Sequence, residues 1–349
     1  MASAGCGPDQ IDDLAQQTVA DPRWFPLRFN VETEEFHFAL IEPETHRAIA
    51  FLNDFKAVPS ETRVLPRSAV ASLPVETAPL HLILHSGLGG STFVARALAQ
   101  PGTAVALQEP PILTDVIVYG ATRPTAEMAR LLVEVTRLLA RPFAPGEAVV
   151  CKLSGVGNGL ARTIAASQPQ SQLICLYNPL DQMLASLASR GAGGRMAGRQ
   201  LLLGLRNSRM AAVEMTDKQL LDHTDLQLAG FAWLSIQKIM IATAQALGPS
   251  RLASVPSEAV MRDASAAVAS IAAHFGLALD TDALAVSGMF NRHAKSGEPF
   301  EPERRAQALE HARVLHGAEI DAIVSWARRV AEVTGIGWDP PYPLQDWAA

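Results

Sequence analysis

The hydrophobic pattern changes character near residue 78. Before it, apolar positions recur at helical spacing over Asp9–Val19, alternate over Phe29–Ile41, and return to helical spacing over Thr45–Phe55. A proline-containing stretch, Val58–Pro74, follows, so residues 1–77 read as an N-terminal extension to a main domain of residues 78–349. From Pro79 onward short apolar runs alternate with helical segments. The runs Leu80–Leu84, Ala104–Leu107, Ala148–Leu153, Gln172–Leu176 and Arg251–Val255 predict five strands. Helices are predicted at Ser91–Gln100, at Ala126–Leu139 (with Leu131, Leu132, Val135 and Leu138 on one face), at Asn158–Ser167, after Pro179, and at Ser257–Arg262 and Ala264–Phe275. A last helix carries Leu309, Ala312, Leu315, Ile320 and Ile323. This alternation predicts an α/β fold of three layers, α/β/α, around a mainly parallel sheet. In such sheets ligands bind at the carboxyl ends of the strands.

Composition narrows the function. The chain is 48% hydrophobic and 18% charged, which makes a packed core. A net charge of -6 argues against nucleic acid and anionic lipid as partners, so an anionic ligand needs a local cationic pocket. Cys6, Cys151 and Cys175 are far apart, with no metal-ligand spacing, and the latter two sit in apolar runs as small buried hydrophobes. Leu226–Leu247 is long and apolar, but Gln237 and Lys238 at its centre favour a buried helix over a membrane span. With no basic segment leading into an apolar one at the start, a cytoplasmic location is expected.

The first strand runs into His85-Ser86-Gly87-Leu88-Gly89-Gly90-Ser91-Thr92 and then a helix. Three glycines permit positive φ and close approach of a ligand, and the helix start presents unpaired N–H groups. Gly87, Gly89, Gly90, Ser91 and Thr92 are therefore candidate phosphate ligands in a P-loop-like turn. The alternative is a glycine-rich turn with no ligand. It is not a nucleotide-hydrolase P-loop, because Ser91 stands where that motif has lysine and His85 where it has its first glycine.

The turn resembles the phosphosulfate-binding loop of sulfotransferases, with Gly89-Gly90-Ser91-Thr92 matching its small-residue portion and Leu88 in its basic position. Further matches follow in order: Glu109-Pro110, Lys152 at a strand end, Tyr177-Asn178-Pro179-Leu180-Asp181, and Ser257-Glu258 before Ala264–Leu279. The resemblance spans about Pro79 to Leu279. It implies transfer of a sulfuryl group from 3′-phosphoadenosine-5′-phosphosulfate, without a metal, to a hydroxyl or amine acceptor that the sequence does not identify. It makes Glu109 the base and Lys152 the partner of the leaving phosphate, and His85, at a strand end adjoining the turn, is the alternative base. The arginine and serine that hold the 3′-phosphate in that family are Tyr177 and Ala185 here, with Ser186 one place along. Arg190–Arg199, read as a glycine-rich loop, and Arg292 and Lys295, beyond the last strand, are candidate replacements. Each also reads as a solvated segment. The departures leave two other readings open: a nucleotide-binding or interaction module without transfer, and, less favoured, a nucleotide kinase or hydrolase.

Overall fold

The computed structural model describes residues 8–49, 51–52, 61–286, 288–289 and 302–345. The chain begins with α1 (Pro8–Ala20), β1 (Trp24–Asn30), β2 (Glu35–Leu40), α2 (Pro43–Ala48), β3 (Thr62–Pro66) and α3 (Arg67–Val70). The three strands form an antiparallel sheet in the order β1-β2-β3. The alternation over Phe29–Ile41 is thus the end of one strand, a turn, and the next strand, with Phe29 paired to Phe36. Those two rings meet at 5.0 Å, and Phe29 meets Tyr119 at 5.8 Å. The helix expected over Thr45–Phe55 is the shorter α2, which ends by Ile49; residues 53–60 lie outside the described part. The proline-containing stretch contains β3 and α3, whose few, partly exposed residues give little periodic signal.

The main sheet has five parallel strands in the order β5-β6-β4-β7-β8: β4 (Leu80–His85), β5 (Ala104–Gln108), β6 (Ala148–Lys152), β7 (Leu173–Tyr177) and β8 (Leu252–Pro256). Every residue of β4, β5 and β6 is buried, as expected of strands covered on both faces. Between and after them come α4 (Ser91–Leu98), α5 (Pro111–Thr122), α6 (Thr125–Leu139), α7 (Ala161–Ser167), α8 (Leu180–Ala188), α9 (Gly191–Asn207), α10 (Asp217–Leu221), α11 (Asp225–Leu247), α12 (Ser257–Arg262), α13 (Ala264–Phe275), α14 (Thr281–Val286) and α15 (Pro302–Thr334).

One face of the sheet packs on α4, α12 and α13 through Ile83, Ala104, Ala106, Ala148, Val150, Ile174 and Val255, where small side chains let the helices sit close. The opposite face packs on α5, α6, α7 and α11 in a core continuous with the antiparallel sheet. Arg28 clamps that sheet to α5 by donating to both oxygens of Asp115 at 2.8 Å, and the N–H of Phe29 donates to the same carboxylate. A third cluster joins α8, α11 and α15. The apolar run at Leu226–Leu247 is α11, buried along its first half and partly exposed toward its end, and no described helix is long and apolar enough to cross a membrane.

Arg190–Arg199 is not a loop. Residues 191–207 form α9, and the glycines that suggested a loop are there for packing. A Cβ on Gly198 would lie 2.7 Å from that of Ala229, and one on Gly194 would lie 2.1 Å from the carbonyl oxygen of Leu187. Glycine is unfavourable in a helix by about 1 kcal/mol relative to alanine. Here it permits close contact with α8 and α11.

Candidate functional site

β4 is the central strand, and its carboxyl end opens into the turn His85–Gly90 before α4. Gly87, Leu88 and Gly90 have φ of 90°, 58° and 88°. A turn of this kind can aim consecutive main-chain N–H groups to one side, as in anion-binding nests. Among the described residues, the N–H groups from Gly87 to Thr92 meet no acceptor in the protein. A Cβ built on Gly87 would meet nothing within 4 Å, so the turn is open at that point. Gly89 is glycine for a different reason: a Cβ there would lie 2.9 Å from that of Ser257. Leu88, apolar within this turn, packs against the cluster of α8, α11 and α15.

Two asparagines hold the turn in place. Asn158 donates from its Nδ2 to the carbonyl of His85 at 2.9 Å and accepts from the N–H of His85 at 3.3 Å. Asn178 donates its main-chain N–H to Ser86 Oγ at 2.7 Å, and its Oδ1 accepts from Ser257 Oγ at 2.9 Å. Trp233 Nε1 donates to the carbonyl of Asn178 at 2.8 Å. Sequence reasoning gave Asn158 no such role. A polar residue soon after an apolar strand was the only available sign.

His85, Glu109 and Lys152 end or follow three neighbouring parallel strands, so the topology brings them together at one edge. Lys152 is 1% exposed and forms an ion pair with Glu109 Oε1; His85 Nε2 lies 3.7 Å from the same oxygen. Glu109 sits at φ 53°, a left-handed conformation that costs a non-glycine residue about 1–2 kcal/mol, and its N–H donates to the carbonyl of Lys152 at 2.9 Å. Burial alone would raise the Glu109 carboxyl, but His85 and Lys152 together hold it down at about 2. Burial pushes the Lys152 ammonium below its usual range, against the pull of Glu109. His85 is likewise lowered by burial, which favours the neutral ring, and both its ring nitrogens are buried without a hydrogen-bond partner. Gln108, the register partner of Lys152, is also buried with both side-chain polar atoms unpartnered. The sequence offered nothing to set it apart from its strand.

The expected base Glu109 is therefore a carboxylate already engaged by an ammonium, and a poor proton acceptor in this arrangement. Ser91 and Thr92 are buried at the start of α4, beside the turn. Ser186 is buried within α8, four residues before Arg190. Arg292 and Lys295 lie outside the described residues. At the ends of β7 and β8 the charge is of the opposite sign: Tyr177 is pushed up to about 12 by burial and then by Asp339 and Glu258, and both those carboxyls are themselves raised, chiefly by burial.

No protein-family model matches the chain, and no curated protein does. Among solved structures it is similar to a sulfotransferase domain from the curacin biosynthetic pathway, at 12% identity and a TM-score of 0.38, over 78% of this chain and 94% of the other. It is also similar to a sulfotransferase domain from the olefin synthase of Synechococcus PCC 7002, at 14% identity and a TM-score of 0.35, over 65% of this chain and 83% of the other. Both similarities are weak.

Proposed function

We propose that the chain is a sulfuryl transferase that takes its group from 3′-phosphoadenosine-5′-phosphosulfate. The observation that carries this reading is the run of unpaired N–H groups from Gly87 to Thr92 beside a buried lysine, with a neutral histidine at the same edge. These residues fit the 5′ end of the donor: main-chain dipoles for the phosphosulfate, and a cation for the phosphate that leaves. The family's positions for the 3′-phosphate, Tyr177 and Ala185, do not fit it.

When bound, the donor supplies an activated sulfuryl group on a phosphate leaving group. The turn fixes that phosphate with its amides. Lys152 neutralises the charge that collects on it as the sulfur–oxygen bond breaks. His85 takes the proton of an acceptor hydroxyl as its oxygen bonds to sulfur, and Glu109 at 3.7 Å balances the imidazolium that results. Attraction of Lys152 to the leaving phosphate also draws it from Glu109 and frees that carboxylate for the second role.

Lysine at the end of the strand beside the turn disfavours the kinase or hydrolase reading, because a fixed ammonium occupies the position from which a carboxylate would bind a phosphate-bound magnesium ion. A binding module without transfer is favoured by Tyr177 and Leu88. Thermal-shift titration separates these readings. Stabilisation by 3′,5′-adenosine bisphosphate is expected, worth about 2.7 kcal/mol at a hundredfold excess over Kd. A response to ATP with magnesium alone would overturn the proposal. Binding of the bisphosphate without transfer of labelled sulfate to any hydroxyl in an acceptor panel would favour the module.

A further inference from the structure

Residues that precede the parallel sheet also reach the candidate site. α2 docks beside β5. The ring of its buried His46 meets those of Phe25 at 4.9 Å and Phe143 at 5.6 Å, and Arg47 pairs with the buried Glu147 at 3.7 Å. Just beyond α2, Leu52 is 1% exposed, and its N–H donates to the carbonyl of Gln108 at 3.0 Å. β5 is an edge strand, so this contact fixes the segment at the rim of the sheet, next to the carboxyl end where Glu109 meets Lys152.

The same contact brings Phe51 to the lysine. Its ring centroid lies 5.0 Å from Lys152 Nζ, with the ammonium over the ring. A cation within about 6 Å of a ring centroid is drawn to the negative face, more strongly where water is excluded. Lys152 is 1% exposed and Phe51 half-buried, so the ring is part of the cover that keeps water from the ammonium.

The ring answers a specific difficulty. Burial disfavours the charged form of Lys152, and Glu109, which compensates it, is the partner that Lys152 must release to meet an oxyanion. A ring face attracts the ammonium without offering a second negative charge. A carboxylate in its place would hold the cation back, and an aliphatic side chain would give it no attraction. We propose that Phe51 is a positioning residue for Lys152, whose ring face keeps the ammonium charged and in place when Glu109 lets it go. Its part in transfer rests on the donor reading above; its hold on Lys152 does not.

NMR titration of the full, ligand-free chain with isotope-labelled lysine tests the hold, the Lys152 signal being identified by its loss in Lys152→Arg. The titratable groups that bear on Lys152 are Glu109, His85 and Cys151, and all three remain in Phe51→Leu and Phe51→Tyr. Phe51→Leu keeps an apolar cover and removes the ring face. Lys152 should then hold its proton at least about threefold less tightly than in the wild type. Phe51→Tyr, which keeps the face, should titrate as the wild type does. A merely structural phenylalanine would alter the melting temperature and leave the Lys152 titration where it is. An unchanged or tighter hold in Phe51→Leu overturns the proposal, as does a Phe51→Tyr chain that behaves like Phe51→Leu. Isothermal titration with adenosine 3′,5′-bisphosphate at pH 7 and pH 9 tests the part in transfer: affinity should fall more steeply with pH in Phe51→Leu, and equal falls overturn that part. If the bisphosphate binds none of the chains, the donor reading falls, and the NMR titration still decides the hold of Phe51 on Lys152.

Discussion

Replacing Glu109 by Gln keeps the shape of the side chain and its left-handed backbone, and removes only the charge that faces Lys152. Lys152 is 1% exposed, so water cannot take over the lost interaction. Breaking a buried ion pair by removing one partner costs about 3–5 kcal/mol. A second route gives a similar figure. The Glu109 carboxyl falls from 4.5 to about 2 on folding, and at about 1.4 kcal/mol per tenfold that is worth about 3 kcal/mol. Urea unfolding at pH 7 should therefore show Glu109→Gln less stable by about 3 kcal/mol. The pH dependence has a definite sign. A carboxyl depressed on folding stabilises above its unfolded value, so the difference between wild type and variant should be full above pH 4.5 and shrink as pH falls toward 2. In the variant, Lys152 loses the partner that kept it charged. Its folded value then drops further, and the stability of the variant should rise as pH increases toward 10.5, where the unfolded lysine also gives up its proton. Lys152→Met in the same background should recover part of the loss, since no uncompensated charge remains. A cost below about 1 kcal/mol, or single losses that simply add in the double variant, would refute the buried pair as the electrostatic centre of the site.

Two further outcomes follow from the same geometry. Gly89→Ala should displace the turn from α12 and cost about 1–3 kcal/mol in chemical unfolding. Ser257→Gly should rescue part of that loss, since it removes the Cβ that lies 2.9 Å away but also gives up the hydrogen bond to Asn178 Oδ1. Failure of that rescue would show that the turn is held away from α12 by something else. Cys151, buried and pushed up to about 12 by burial, should resist alkylation at pH 8 in the folded chain and react once urea unfolds it, which mass spectrometry of the labelled peptide reports.

The five strands of the main sheet were legible because burial on both faces makes each a short continuous apolar run, and the chain has little else of that kind between residues 80 and 256. The antiparallel sheet was only half legible. Phe29 and Phe36 share a face across a four-residue turn, so the alternation runs through the turn without a break, and β3 shows one buried residue in five. α9 was misread because glycine and arginine together suggest solvent. Gly194 and Gly198 recur four apart, a helical spacing that close packing demands, but nothing in the chain itself names the helices that come close.

The site shows the same division. A turn such as Gly87–Thr92 can be read from a linear string, because glycine, strand and helix follow one another along the chain. The meeting of His85, Glu109 and Lys152 cannot, because it is a consequence of strand order. β5 and β6 come after β4 in the chain yet lie on one side of it, while β7 and β8 lie on the other. Only that reversal sets the end of β6 beside the end of β4 and places Glu109, from the next strand out, between lysine and histidine. With β6 moved to the other edge of the sheet, Lys152 would stand away from both Glu109 and His85. The order of the strands is therefore part of the site's electrostatics, and it is what permits a cation to stand next to an amide-lined turn in a chain whose net charge is negative.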